Sequence, residues 1–306
     1  MWNMEEKKIQ GFEQAVRVLP LRLRQEAMAL PADQRARVEE LRLRWGRPMA
    51  AVLPEGERPL GGGPVTGQEL EQLLELASRA SFHTVADQLR RGYLTVEGGH
   101  RVGLCGTAVV RDGELRGLRR LSSAAVRVAR QAVGAARPVS DRLLRREGTL
   151  YSTLILAPPG AGKTTLLRDL IRAASDGEGM TPHRVGVADE RGEVAALWNG
   201  RPQLEVGART DVLEGCPKAL ALMLLLRSMN PQVLAADEIT APEDVRALIS
   251  AAGCGAALLA TAHGAGREDL SRRKLYRGLL EEGVFRRLVR IRREAGRRIY
   301  EVEVLE

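Results

Sequence analysis

The feature that most constrains how this chain can fold is a glycine-rich segment between an apolar run and a helical pattern. The segment reads Ala157, Pro158, Pro159, Gly160, Ala161, Gly162, Lys163, Thr164, Thr165. Strand, loop and helix in this order are the context of a phosphate-binding P-loop, because the N–H groups of the loop and the helix dipole together hold phosphate oxygens. We therefore expect Lys163 to reach the β- and γ-phosphates of a nucleotide and the Thr164 hydroxyl to ligate Mg²⁺. Ala157 stands where the strict pattern has glycine, on the strand side of the loop, where a methyl group costs least.

A pair of carboxylates follows a second apolar run. Residues 231–236 lead directly into Asp237 and Glu238. This pattern is typical of a buried parallel strand, and ligands of open α/β sheets bind beyond the carboxyl ends of such strands. Asp237 is placed to hold the Mg²⁺ shell, and Glu238 to orient or deprotonate a water that attacks the γ-phosphate. The pair favours nucleoside-triphosphate hydrolysis over nucleotide storage; a solvated Asp-Glu turn is the alternative.

The second half of the chain alternates strand and helix patterns, which predicts a parallel sheet covered by helices. Strands are expected at residues 184–188, 233–236 and 257–261, helices at 217–228 and 242–252, and a closing hairpin at 286–291 and 299–304 around Gly296. The second of these helices is expected to begin with a capping box from Thr240 to Glu243. In the first helix, an aliphatic stripe is expected to be core: Leu220, Met223, Leu224 and Leu226.

The first half has a different pattern, typical of a mixed α+β domain. Thr66 to Glu69 forms a capping box before a helix with four apolar residues on one face, Leu70, Leu73, Leu74 and Ala77. A second helical pattern ends at Gly92, and strands follow at residues 93–96, 101–104 and 125–129, with turns at 98–99 and 112–113. We place the domain boundary near 138–148, which gives domains of residues 1–147 and 148–306.

Charge and cysteine content narrow the class of protein. The net charge is +8, and residues 267–298 hold twelve Lys/Arg against five Asp/Glu. Such a basic region is a solvated face by default; nucleic acid, an anionic membrane surface and an acidic partner are alternatives. The start of the chain lacks a secretory apolar region, no run approaches the ~20 apolar residues of a membrane span, and three scattered cysteines fit a reducing compartment. A cytoplasmic protein is expected.

Two further clusters complete a recognisable series of motifs. An acidic box, Asp189 to Glu193, follows the second strand of the ATPase half, and a histidine box, Thr261 to Gly264, follows the fourth. With the P-loop and Asp237-Glu238, this order resembles the hexameric traffic ATPases of type II and type IV secretion. The segments Gly92-Tyr93-Leu94-Thr95, Gly99-His100-Arg101-Val102-Gly103, 160–169, Asp189-Glu190-Arg191 and Asp237-Glu238-Ile239 are similar, within that superfamily, to the stage III sporulation protein AA family. The resemblance runs from about Glu40 to the C-terminus.

The resemblance implies a RecA-like P-loop ATPase domain that uses ATP and Mg²⁺, preceded by a smaller α+β domain. It also implies a homo-oligomer, most simply a hexameric ring, that docks on membrane-embedded channel proteins at the inner face of the membrane, in the mother cell. His263 would then sense the γ-phosphate, although a hydrogen-bonded turn residue is the alternative. For Asp189, Glu190 and Glu193, a role in positioning metal or water competes with a solvated turn.

Arginines at the end of the first domain suggest how a ring could complete its sites. We expect Arg127 or Arg130 to supply positive charge to the nucleotide of a neighbouring subunit, since an arginine finger stabilises the transition state of phosphoryl transfer. Two other functions stay open: a nucleic-acid-stimulated ATPase that uses the basic C-terminal region, and a scaffold in which bound nucleotide sets conformation without turnover.

Overall fold

The computed structural model describes residues 4–78, 92–294 and 297–305. The chain forms two compact units: the first comprises residues 1–130 and 196–203, and the second comprises residues 131–195 and 204–306. By compactness, residues 131–147 therefore lie with the second unit. The expected boundary after residue 147 stays a prediction, since compactness does not test which segments fold on their own.

The first unit is an antiparallel sheet with helices, which confirms the α+β class. Its helices are α1 (Met4–Ala15), α2 (Leu21–Met28), α3 (Ala32–Arg35) and α4 (Gly67–Ala77). Its main strands are β1 (Glu40–Arg44), β2 (Pro48–Leu53), β3 (Gly56–Pro64), β4 (Tyr93–Thr95), β5 (Arg101–Arg111) and β6 (Glu114–Arg127), in the spatial order β3-β2-β1-β6-β5-β4. A two-stranded ribbon, β9 (Leu197–Trp198) and β10 (Arg201–Pro202), belongs to the same unit.

Local sequence explains the elements of this unit. Thr66 accepts a hydrogen bond from the backbone N–H of Glu69, and the Glu69 carboxylate accepts one from the Thr66 N–H, so the predicted capping box is present. Asp112 and Gly113 both have positive φ (53° and 75°), the conformation of a tight hairpin turn between β5 and β6. The helical pattern predicted to end at Gly92 falls on residues 79–91, outside the described residues.

The second unit is a mostly parallel sheet covered by helices. Its strands are β7 (Thr153–Leu156), β8 (Val185–Asp189), β11 (Thr210–Glu214), β12 (Val233–Ala236), β13 (Ala257–Ala262), β14 (Arg287–Glu294) and β15 (Arg297–Val304). They lie in the order β11-β8-β12-β13-β7-β14-β15, and every neighbouring pair is parallel except β14 with β15. The helices are α5 (Lys163–Asp176), α6 (Lys218–Met229), α7 (Pro242–Gly253), α8 (Arg267–Arg272) and α9 (Lys274–Glu281).

The central strands of this unit are largely apolar runs that are buried on both faces, as a covered parallel sheet requires. The carboxyl ends of β7, β8, β12 and β13 meet at one edge of the sheet, and the P-loop, the acidic box, the Asp-Glu pair and the histidine box follow them there. The predicted closing hairpin is present as β14 and β15, although Gly296 itself lies outside the described residues.

Two details of the helices were wrong. Leu220 and Leu224, expected in the core, are 53% and 45% exposed, while the buried face of α6 is formed by Ala221, Leu222 and Leu225. A helix that is apolar almost all round does not reveal from its sequence which face is covered. The cap of α7 is shifted by one residue.

The shift places Asp244 in the role expected of Glu243. The Asp244 carboxylate accepts hydrogen bonds from the N–H groups of Thr240 and Ala241 at 3.0 and 3.1 Å. Glu243 instead pairs with Arg246 on the surface. Two adjacent acidic residues are equally suited to the start of a helix, so the pattern alone did not choose between them.

In the described part of the chain, no helix is long and apolar enough to cross a membrane. Cys105, Cys216 and Cys254 are all free thiols.

Candidate active site

The P-loop connects the end of β7 to the start of α5, as predicted. Gly160 and Gly162 have φ angles of 70° and 105°, a region in which side chains with a Cβ are strained, so the two glycines are required by the turn itself. The Lys163 side chain is buried and its ammonium donates to the carbonyl oxygens of Ala157 and Pro158, both at 3.1 Å. Ala157, which stands where the strict P-loop pattern has glycine, is fully buried at the end of β7.

The Lys163 ammonium lies at the centre of the charged groups. Its Nζ is 3.0 Å from Nδ1 of His263. Burial lowers the pKa of Lys163, and the nearby carboxylates of Asp237 and Glu238 oppose that shift. The sheet edge therefore brings together a lysine, a histidine and two acids that are far apart in the sequence.

Asp237 lies between two hydroxyl groups. Thr164 Oγ1 donates to its Oδ2 at 2.9 Å, and Thr261 Oγ1 donates to its Oδ1 at 2.5 Å. Burial raises the pKa of Asp237, as do the neighbouring carboxylates of Glu193 and Glu238, while the two hydroxyl bonds act in the opposite direction. Removing this carboxylate from water is costly unless a cation or donors compensate, which suits a cation-binding acid.

Glu238 is held by contacts from four directions. Its backbone has φ 52°, an uncommon left-handed conformation for a non-glycine residue. The Glu238 N–H donates to Thr261 Oγ1 at 2.7 Å, and Oε2 accepts from Arg191 at 2.9 Å. Its Oε1 lies 3.1 Å from Nε2 of His263, and its carbonyl oxygen accepts from Lys218 at 2.7 Å. A strained backbone with this many restraints is typical of functional positions.

The residues of the acidic box differ in their burial and in the groups that they contact. Asp189 is buried, and its carboxylate accepts from the N–H groups of Glu193, Val194 and Ala195 at 2.8–3.0 Å. Burial raises its pKa, and these backbone bonds oppose the shift. Asp189 therefore shapes the loop after β8.

Buried Arg168 also holds the loop after β8 by hydrogen bonds to its backbone. It donates to the carbonyl oxygens of Val194 and Glu193, both at 2.6 Å. The carboxylate of Glu190 lies 3.2 Å from the ammonium of Lys218, and the same ammonium donates to the carbonyl oxygen of Glu238. A direct part for Glu190 or Glu193 in handling metal or water stays a prediction.

Arg127 and Arg130 lie at the end of β6 and just beyond it, in the first unit. Arg127 pairs with Glu40 at 2.9 Å, yet its side chain stays 66% exposed. Arg130 donates to the carbonyl oxygen of Val38 at 2.7 Å, and burial lowers its pKa. Arg127 is therefore the more available of the two, and the arginine-finger hypothesis stays a prediction.

Sequence reasoning missed several residues around the site. Lys218 and Arg191 both hold Glu238, and two arginines of the closing hairpin, Arg293 and Arg298, lie against the P-loop. Lys218 opens a helix whose next eight residues are all apolar, which was the available signal. The arginines lay within the basic region, where nothing distinguished them from surface charges.

The residues present fit a magnesium nucleotide. The space beside the loop is open at Gly160, where an added Cβ would meet nothing within 4 Å. The Thr164 hydroxyl and the Asp237 carboxylate are hard oxygen donors, the type that Mg²⁺ prefers, and water and phosphate oxygens commonly supply the rest of its shell. Among the described residues no group of three or more His, Cys, Asp and Glu forms a dedicated metal site.

A mostly parallel sheet with a P-loop at its carboxyl edge is the arrangement of a RecA-like P-loop fold. The solved structures with this fold include the pilus retraction motor PilT with bound ADP, at TM-score 0.61 and 16% identity over 88% of this chain and 80% of that one. They also include the ATPase DotB of Legionella pneumophila, at TM-score 0.56 and 15% identity over 87% and 76%. At these identities the likeness concerns the fold.

Within that class, the chain belongs to the family described as sporulation stage III, protein AA, whose model matches residues 8–301. A curated relative, stage III sporulation protein AA of Bacillus subtilis strain 168, is 39% identical over 280 residues, covering 91% of this chain and 90% of the relative. The resemblance deduced from the motifs is thereby confirmed.

Proposed function

We propose that this protein is a Mg²⁺-dependent ATP hydrolase of the secretion type that assembles as a ring and energises a sporulation channel complex. The observation that carries the proposal is the convergence of Lys163, the Thr164–Asp237 pair and the Glu238–His263 pair at one edge of the sheet. Candidate groups for binding phosphate, holding a metal ion and activating water thus lie together, which supports phosphoryl transfer.

Each side chain has a separate task in this mechanism. Lys163 and the loop N–H groups bind the phosphates, and Thr164 with Asp237 would hold Mg²⁺, which neutralises phosphate charge and orients the triphosphate. Glu238 orients a water and accepts its proton. His263, between Lys163 and Glu238, links the phosphate-binding side of the site to the water-activating side.

The nucleotide assignment is tested with Lys163→Ala. This ammonium is the charged side chain of the loop itself, so we expect the variant to lose tight ATP binding in calorimetry. Lys274→Ala, which removes an exposed lysine of the same unit, is the matched control. Equal ATP affinity in both variants would remove the P-loop assignment.

The hydrolytic assignment is tested with Glu238→Gln. The amide preserves shape but cannot accept the proton, so we expect ATP·Mg²⁺ binding to persist and turnover to fall at least ~100-fold, the usual worth of a positioned base. Glu268→Gln, on the exposed surface of α8, should turn over like the parent. Full turnover by Glu238→Gln would transfer the role to Glu190 or Glu193.

Ring formation follows from the proposal because a closed head-to-tail arrangement lets each subunit complete the site of its neighbour. Light-scattering mass should show a ring, hexameric in the simplest case, and activity per subunit should rise with protein concentration. Arg127→Ala should impair hydrolysis more than ATP binding. A monomer with constant specific activity at all concentrations would exclude the ring.

The basic C-terminal region supports this function over a nucleic-acid-stimulated one. Four of its arginines pair with carboxylates of the same unit: Arg267 with Glu303, Arg273 with Asp269, and Arg290 and Arg292 with Glu301. We therefore expect ATPase activity to be insensitive to added DNA or RNA. Stimulation that weakens steeply with salt would instead favour the nucleic-acid function.

A further inference from the structure

The outer end of the β14–β15 hairpin carries two arginines that face each other. Arg293 on β14 is directly opposite Arg298 on β15. Residues directly opposite in an antiparallel pair share a face, and like charges placed this way are destabilising. The next pair along the hairpin, Glu294 with Arg297, has opposite charges and points to the other face. The Arg293–Arg298 pair is thus a local conflict of the kind found at functional sites.

Both arginines lie against the phosphate-binding loop. The Arg293 guanidinium donates to the carbonyl oxygen of Gly160 at 3.2 Å. The guanidinium of Arg298 packs on Gly162, because a Cβ added there would be 2.8 Å from its Cζ and Nε atoms. The hairpin therefore brings two positive charges to the two glycines that shape the P-loop.

Two other arginines of β14 pair with a carboxylate, whereas among the described residues Arg293 and Arg298 do not. Arg290 and Arg292 both pair with Glu301. Within residues 4–78, 92–294 and 297–305, neither Arg293 nor Arg298 has a carboxylate within salt-bridge distance. These two guanidinium groups therefore bring positive charge to the P-loop that no described carboxylate balances.

We propose that Arg293 and Arg298 form a phosphate clamp, contributed by the same subunit, that contacts the polyphosphate of the nucleotide held by the P-loop. This inference rests on the proposed function. The planar guanidinium groups are suited to phosphate oxygens because they donate parallel hydrogen bonds. An anion between the two arginines also removes the repulsion that the hairpin otherwise bears.

The test compares the binding of ATP, ADP and AMP, each with excess Mg²⁺, by calorimetry. Arg298→Ala and Arg293→Ala should each bind ATP about 10-fold more weakly, the size expected for one charge-assisted hydrogen bond. The loss should be smaller for AMP, which has one phosphate. Arg297→Ala is the control, since it removes the same charge from the neighbouring position on the other face. Arg298→Lys should recover part of the affinity.

Thermal stability without nucleotide separates the clamp from a structural role. Because Arg298→Ala relieves a like-charge contact, its melting temperature should equal or exceed that of Arg297→Ala. Equal ATP affinity in Arg298→Ala, Arg293→Ala and Arg297→Ala, with Lys163→Ala defective, would overturn the clamp and leave the proposed function standing. Failure of the parent protein to bind ATP would overturn both.

Discussion

Lys218 is the residue whose replacement should most directly reveal how Glu238, the proposed water-activating acid, is held. Its side chain is only 3% exposed, and it donates to the carbonyl oxygen of Glu238 at 2.7 Å. Its ammonium is also 3.6 Å from the carboxylate of Asp244, which is 6% exposed. Replacement by methionine keeps the length and apolar stem of the side chain while removing the charge.

The cost of Lys218→Met follows from these contacts. Breaking a buried ion pair by removing one partner typically costs 3–5 kcal/mol. Asp244 keeps two backbone N–H bonds, from Thr240 and Ala241, which lowers the expected loss to about 2–4 kcal/mol. For a unit of this size, that is a fall of roughly 4–16 °C in melting temperature. Turnover should fall as well, because the left-handed backbone of Glu238 loses the hydrogen bond to its carbonyl oxygen, whereas ATP binding through Lys163 should persist.

Differential scanning calorimetry measures the transition of the second unit, with Lys274→Met as the surface control. The cost of Lys218→Met should shrink in an Asp244→Asn background, since no unpaired carboxylate is then left buried. A Lys218→Met transition within about 1 °C of the control would refute the reasoning, as would an unchanged cost in the double variant.

Two other perturbations probe each unit separately. Burial lowers the pKa of His100 from 6.5 to about 4, so the folded state holds this ring neutral. The stabilisation that depends on the neutral ring is fully present above pH 6.5 and is lost as the pH falls to about 4. The free energy of unfolding should decrease by a value on the order of 3 kcal/mol over this range. Tryptophan fluorescence, which reports the first unit through Trp45 and Trp198, should show this loss, and His100→Gln should flatten it; an unchanged slope would contradict the assignment. Thr261→Val removes the hydroxyl that bonds both the Asp237 carboxylate and the Glu238 N–H, and it changes the volume of the side chain little. Steady-state kinetics should show slower hydrolysis. Kinetics equal to those of the parent would mean that this hydroxyl positions neither acid.

Most strands of the second unit could be predicted from the sequence because their signals are local and strong. Fully buried strands are short apolar runs, and the motifs follow their carboxyl ends, so topology alone brings Lys163, Asp237 and His263 together. The strand at 233–236 has the predicted bounds, the other strands predicted in this sheet differ by one to three residues at one or both ends, and β11 was not predicted.

What sequence reasoning missed depends on contacts between distant segments. Lys218 reaches Glu238 across 20 positions, and Arg293 reaches Gly160 across 133. Neither pairing has a periodic pattern, and both arise from the order of strands in the sheet. The exposed leucines of α6 have a different origin, since a nearly all-apolar helix carries too little contrast to orient itself.

The position of β7 in the sheet has a consequence for how the chain is made. Its two neighbours, β13 and β14, are both synthesised long after it, and the contact from Arg293 to Gly160 spans 133 positions. At about 5–20 residues per second, the ribosome needs roughly 7–26 s to supply the missing strands after the P-loop has emerged. During that interval β7 lacks both of its neighbouring strands, so a nascent chain completes the candidate nucleotide site only after β13 and β14 have been made.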